Sequence, residues 1–185
     1  MKHLLFTIAL VFAGVIAFAQ NIPAGMRMEL TECEENNREY SVFSYKDADG
    51  TYGYYLSLGR EFRLIESNRE DGTVSGHIDH IDETCILLGS TMDEAIASLD
   101  SLLDLLNEDP GTVLEFPCRL ATGAERLGEP STATCFITKR ILQGKRLCFQ
   151  FISGRHTAQT DLTKSSIKSL KSGVKLYKKL HPKQV

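Results

Sequence analysis

The segment at residues 40–58, YSVFSYKDADGTYGYYLSL, carries the clearest structural signal in the chain. Residues 40–45 are rich in Tyr, Val and Phe, and apolar side chains alternate along residues 52–58, as in β-strands. Between the two runs lies Asp47-Ala48-Asp49-Gly50, which is typical of a tight turn. We therefore predict a β-hairpin here and expect an antiparallel sheet to be built outward from it.

Further strand-like segments lie on either side of this hairpin. Alternation over residues 26–31 predicts a strand, whereas Glu32–Glu39 is acidic and rich in Asn, which is typical of a loop. Phe62–Glu66 and Thr73–Ile81 are predicted to pair with each other. Cys85–Leu88 is short and apolar and is a candidate buried strand. The first half of the chain is therefore predicted to supply four or five strands.

A helix is predicted to follow these strands. Thr91 precedes an apolar run at helical spacing, and Glu94 lies three residues later, which is the pattern of a capping box. The apolar positions continue to Leu106, and Asn107–Gly111 ends the helix.

The second half of the chain repeats the order of strands followed by a helix. Residues 113–116 are strand-like, and 134–141 and 146–153 are predicted to form a hairpin around Gln143-Gly144. A last helix is predicted from near Thr163 to His181, where Pro182 ends it.

The predicted fold is therefore α+β, with an antiparallel β-sheet and two helices packed on one face, in the order β(4-5)-α-β(3)-α. We expect residues 20–185 to form a single domain. Residues 26–108 and 111–182 are candidates for divergent copies of one unit, although their residue identities are too few to establish a duplication.

The first nineteen residues are predicted to be a secretory signal peptide. Lys2 precedes an apolar run at residues 4–18, and Ala17 and Ala19 are the small residues that a signal peptidase requires. The run is short for a membrane span, which needs about 20 residues. We expect cleavage after Ala19, a secreted or periplasmic protein, and no transmembrane segment in the mature chain.

The charge of the chain is close to balanced but unevenly distributed. The formal net charge is -3, which together with export gives no reason to expect a nucleic-acid partner. Residues 161–185, however, hold seven lysines against Asp161 alone, a local charge of +6. Five of these lysines recur along one stripe of the predicted last helix: Lys164, Lys168, Lys171, Lys175 and Lys178.

Five cysteines remain after the predicted cleavage, so at least one thiol is unpaired or pairs between chains. No C-x-x-C occurs, which argues against a zinc knuckle or a thioredoxin-type motif. The predicted hairpin register places Cys135 opposite Ile152 and Cys148 opposite Lys139. This separates the two thiols by about 13 Å along the strands, too far for a disulfide.

The densest group of metal-ligating side chains is the segment at residues 77–83. His77, Asp79 and His80, with His156 from further along the chain, are the candidate ligands of a divalent metal ion. On a strand, however, His77 and His80 point to opposite faces. No glycine-rich phosphate loop and no G-x-S-x-G motif occur, and we expect no cofactor.

Two surfaces are candidates for recognition of a partner. Tyr52, Tyr54 and Tyr55 on the first hairpin would form a platform for a sugar or a protein if they face solvent. If they face inward they belong to the core, and alternation along a strand requires this of some of them. The lysine stripe would attract an acidic surface, such as an acidic glycan or an acidic protein. We therefore favour an exported, non-enzymatic recognition or interaction module. The alternatives are a small metal-dependent or hydrolytic enzyme centred on His77, His80 and His156, and a structural or assembly protein.

Overall fold

The computed structural model describes residues 23–59, 61–68, 74–81, 83–122, 126–140, 144–153 and 156–182. Within these ranges, the description of residues 61–68, 74–81, 122, 152, 153 and 156–158 covers the backbone alone. The predicted signal peptide at residues 1–19 lies outside the described residues.

The described chain forms eleven strands and two helices. Their order is β1 (Arg27–Glu35), β2 (Arg38–Lys46), β3 (Tyr52–Ser57), β4 (Glu61–Asn68), β5 (Val74–Ile81), β6 (Glu83–Gly89), α1 (Met92–Leu105), β7 (Val113–Thr122), β8 (Arg126–Leu127), β9 (Ser131–Arg140), β10 (Gly144–Ser153), β11 (His156–Leu162) and α2 (Lys164–Leu180).

Nine of these strands form one antiparallel sheet. Its order is β1-β2-β3-β6-β7-β9-β10-β11, with β8 paired to β7, while β4 and β5 form a separate hairpin. The prediction of an α+β chain with an antiparallel sheet is confirmed, but the predicted numbers of strands were too small. Six strands precede α1, and five more lie between α1 and α2.

The predicted hairpin at residues 40–58 is confirmed, and β2 pairs with β3 across the Asp-Gly turn. The predicted loop at residues 32–39 is wrong. Strand β1 continues to Glu35, β2 begins at Arg38, and the two pair antiparallel. Asn36 and Asn37 turn the chain with φ values of 55° and 60°, a conformation that Asn tolerates better than most residues. The two asparagines therefore make a tight hairpin turn.

The register predicted for the β9–β10 hairpin is also wrong. Cys135 lies opposite Phe149, and Cys148 lies opposite Phe136. Strand β11 was not predicted, because His156–Leu162 is mostly polar and lacks the apolar alternation of a half-buried strand. This strand pairs with β10 at the end of the sheet, where a polar strand is tolerated.

Both helices begin where their caps predict. Thr91 and Glu94 form the predicted capping box of α1, and Thr163 accepts a hydrogen bond from the backbone amide of Ser166 at the start of α2. Helix α1 contacts β6 and β3, α2 contacts β1 and β2, and the helices contact each other. Their buried side chains share one hydrophobic core with residues of the sheet.

The two halves of the chain contribute equally to the path of the sheet. β1, β2, β3 and β6 come from the first half, and β7, β9, β10 and β11 from the second. Both helices lie mainly against strands of the first half. The internal duplication of residues 26–108 and 111–182 stays a prediction.

Candidate functional site

The five lysines of the predicted stripe fall into two groups on α2. Lys171 forms an ion pair with Asp100, and the Lys178 ammonium lies 2.5 Å from the Asp93 carboxylate, so each is paired with an acidic residue of α1. The other three lysines are exposed to solvent: Lys164, Lys168 and Lys175. The structure therefore divides the stripe into lysines that join the helices and lysines that face outward.

The exposed side of α2 also carries apolar residues near its C-terminal end. Leu176 is 57% exposed and Leu180 is 65% exposed. They lie four residues apart, so they are neighbours on the helix surface, next in sequence to Lys175 and Lys179. The outer side of α2 thus combines positive charge with a small apolar area.

The tyrosines of β3 do not form the predicted platform. Tyr54 is 3% exposed and Tyr55 is 6% exposed, and Tyr52 is half-buried against the edge of Tyr54, with ring centroids 5.5 Å apart. Tyr54 belongs to the core shared with the helices, whereas Tyr55 stacks on Phe43 in a second apolar cluster. Both faces of β3 are therefore covered, which alternation in the sequence does not reveal.

A buried ion pair lies in the first half of the sheet. Arg27 donates a 2.8 Å hydrogen bond to Glu83 and lies over the ring of Phe43, 4.2 Å from its centroid. Ser57 donates to the same carboxylate. Glu83 is 6% exposed, so its charge depends on Arg27 and Ser57 in place of water. These contacts hold strands together and leave little of the carboxylate open to a ligand.

The predicted metal ligands lie on two different elements. His77, Asp79 and His80 are in β5 of the small hairpin, and His156 is in β11 of the large sheet. The side chains of all four lie outside the described part of the structure. A helical arrangement of His77 and His80 does not occur, because their backbone is a strand. Among the side chains that are described, no cluster of three or more His, Cys, Asp or Glu could hold a metal ion.

All five cysteines are free thiols. Cys135 belongs to the main core, and so do Leu147 and Phe149, the neighbours of Cys148. Since side chains alternate along a strand, Cys148 points to the other face of the sheet. The two thiols therefore cannot form a disulfide, because they lie on opposite faces of the sheet. The register predicted from the sequence is not the reason.

The opposite ends of the large sheet approach each other. Arg38 of β2 donates to the Thr160 hydroxyl of β11, and the Tyr40 hydroxyl donates to the Asp161 carbonyl at 2.7 Å. Strands β2 and β11 are far apart in the strand order, so the sheet must curl to bring them together. An open cleft of about 470 Å³ lies at this seam, and Arg140 and other charged residues line it.

Sequence reasoning did not find this cleft. Its lining comes from β1, β2, β9, β10 and β11, and nothing in the local sequence of these strands indicates that they meet. The weak signal available was the group of basic residues on either side of the β9–β10 turn, at positions 139, 140, 145 and 146.

The described residues include no helix with the length and apolar character needed to cross a membrane. Comparison of the chain with known protein-family models, with curated proteins and with solved structures finds no match.

Proposed function

We propose that the protein is an exported, non-enzymatic recognition module that binds an acidic polysaccharide through the outer side of α2. The observation that carries this proposal is the exposure of Lys164, Lys168 and Lys175 on that helix. No ion pair joins these three lysines to a carboxylate among the described residues, in contrast to Lys171 and Lys178.

The spacing of these lysines favours a linear polyanion. They are four and seven residues apart, which corresponds to about 6 Å and about 10 Å along a helix axis. A charged polysaccharide presents anionic groups repeatedly along its length, so one chain can contact all three ammonium groups. Exposed charges of one sign raise the local concentration of such a partner and speed its association.

Export is the second part of the proposal, and it rests on the sequence of residues 1–19 with cleavage after Ala19. A secreted or periplasmic protein meets the acidic polysaccharides of cell surfaces and extracellular material. The absence of a signature for nucleophilic or phosphate chemistry in the sequence supports binding over catalysis.

Retention on polysaccharide columns tests the proposal. We expect the purified protein to be retained on heparin or polygalacturonate and to elute with salt, but to pass through neutral dextran. The triple variant Lys164→Gln/Lys168→Gln/Lys175→Gln should elute at clearly lower salt. A control with the same loss of charge, Lys46→Gln/Arg126→Gln/Lys139→Gln, should elute close to the original protein. Equal retention of the two triple variants would show that net charge and not α2 determines binding.

A further inference from the structure

The cleft at the seam between β2 and β11 carries more positive than negative groups. Arg38, Arg140 and Arg146 line it, and the carboxylates among its described lining residues are those of Glu35 and Asp161. Its volume of about 470 Å³ lies within the range of small-molecule binding sites. The charged side chains therefore surround a space large enough for a small-molecule ligand.

Both carboxylates are engaged by the protein. Glu35 accepts hydrogen bonds from the hydroxyls of Thr163 and Ser166 at the start of α2, where a negative charge is favoured. Asp161 accepts a hydrogen bond from Arg140 and lies 3.8 Å from Arg146. One acidic group is thus shared by two guanidinium groups, and the described lining holds three arginines against two carboxylates.

Arg146 is the most buried of the three arginines that line the cleft. Its side chain is 9% exposed, so water and salt screen its charge less than that of a surface arginine. Arg140 is 57% exposed at the same carboxylate. A guanidinium group presents a planar set of donors that matches a carboxylate or a sulfate. Arg146 therefore offers a buried contact, and Arg140 a solvent-accessible contact, to a carboxylate or a sulfate.

The rest of the lining is suited to a polar molecule. It consists of hydroxyl and amide side chains, and Tyr40 supplies the one aromatic ring among the described lining residues. Burial raises the pKa of Tyr40 to about 12, so its hydroxyl stays protonated at neutral pH. Such a lining gives an apolar ligand little to contact, whereas a sugar has many hydroxyls for it.

We propose that this cleft binds a small polar ligand, a sugar that carries a carboxylate or a sulfate, with its anionic group held by Arg140 and Arg146. The described lining includes none of the exposed lysines of α2, and this proposal does not depend on the polysaccharide-binding proposal. The proposed site is formed by residues of β2 and β11 that come together because the sheet curls.

Titration of the purified protein with defined sugars, followed by nuclear magnetic resonance, tests the proposal. The probes are glucuronate, glucose 6-sulfate and neutral glucose. We expect saturable shifts with at least one of the anionic sugars and none with glucose up to about 10 mM, a concentration at which a millimolar site is largely occupied. The difference between glucuronate and glucose 6-sulfate identifies the preferred anion.

Matched variants locate the site. Arg140→Gln should weaken binding by roughly tenfold or more, because it removes a hydrogen bond to a charged group. Lys139→Gln removes the same charge from the neighbouring, exposed position and should change affinity less than about twofold. Arg146→Lys keeps the buried charge without the planar set of donors and should also weaken binding. Failure of both anionic sugars to bind, binding of glucose equal to that of an anionic sugar, or equal effects of Arg140→Gln and Lys139→Gln would overturn the proposal.

Discussion

Gly173 of α2 packs directly against Thr31 of β1. A Cβ atom at position 173 would lie 2.5 Å from the Thr31 Cβ, well inside the distance at which two carbon atoms can remain. This contact explains a glycine in the middle of a helix, where it costs about 1 kcal/mol of helix propensity relative to Ala. The glycine lets the helix approach the first strand of the sheet.

The substitution Gly173→Ala should therefore destabilise the protein. Helix propensity alone predicts a gain of about 1 kcal/mol, whereas overpacking against Thr31 predicts a loss of about 1 to 3 kcal/mol. We expect the loss to prevail in urea unfolding. Ser169→Ala, at an exposed position of the same helix, is the control and should change stability by less than about 0.5 kcal/mol. A stabilised Gly173→Ala variant would show that α2 can move away from β1 at little cost.

The buried pair of Arg27 and Glu83 should contribute strongly to stability. Glu83→Gln leaves the Arg27 charge without its main carboxylate, and we expect a loss of about 3 kcal/mol in urea unfolding. Glu29 also contacts Arg27, but its side chain is 42% exposed, so Glu29→Gln should cost less than about 1 kcal/mol. Losses of similar size in the two variants would mean that the burial of Glu83 adds nothing to the free energy of unfolding.

The cysteines should be unreactive in the folded protein. Burial raises the pKa of Cys33 to about 11 and that of Cys135 to about 12. At pH 8 only about 0.1% of a thiol with the first of these pKa values is ionised. Mass spectrometry after iodoacetamide treatment should show slow labelling of the native protein, with Cys33 first, and rapid labelling of all five thiols in denaturant. A disulfide-linked dimer on non-reducing electrophoresis would contradict this and favour an assembly role.

We expect the protein to be exported and, after cleavage, to begin at Gln20. Ala17 and Ala19 place the predicted cleavage site there, and mass spectrometry of protein collected outside the cytoplasm should give the mass of residues 20–185. Substitution of Ala19 by a bulky residue such as Leu should leave the precursor uncleaved, whereas Ala13→Leu, within the apolar run, should still be processed. Detection of the full chain in the cytoplasm alone would exclude export.

The features that the sequence predicts correctly are local. The Asp-Gly turn specifies the β2–β3 hairpin, and Thr91 with Glu94 specifies the start of α1, because each signal acts within a few residues. Asn36 and Asn37 were a comparable signal, since two residues that tolerate the left-handed conformation between strand-like runs indicate a tight turn.

The features that the sequence does not predict depend on distant contacts. Strand β11 is stabilised by pairing with β10, and neither the polar sequence of β11 nor its length indicates this. The burial of Tyr54 and Tyr55 on two faces of β3 requires two separate layers of packing. The cleft requires the two ends of a nine-stranded sheet to meet, which no local pattern encodes.

The lysines of α2 give the most direct test of the proposed function, since two double variants on this helix lose the same charge. Lys168→Gln/Lys175→Gln removes exposed lysines, whereas Lys171→Gln/Lys178→Gln removes lysines paired with Asp100 and Asp93. The measurement is the affinity of each double variant for heparin by isothermal titration calorimetry at constant salt. We predict a loss of tenfold or more for the exposed pair, about 1.4 kcal/mol, and a much smaller loss for the paired lysines. Equal losses, or a greater loss for the paired lysines, would contradict recognition through the outer side of α2.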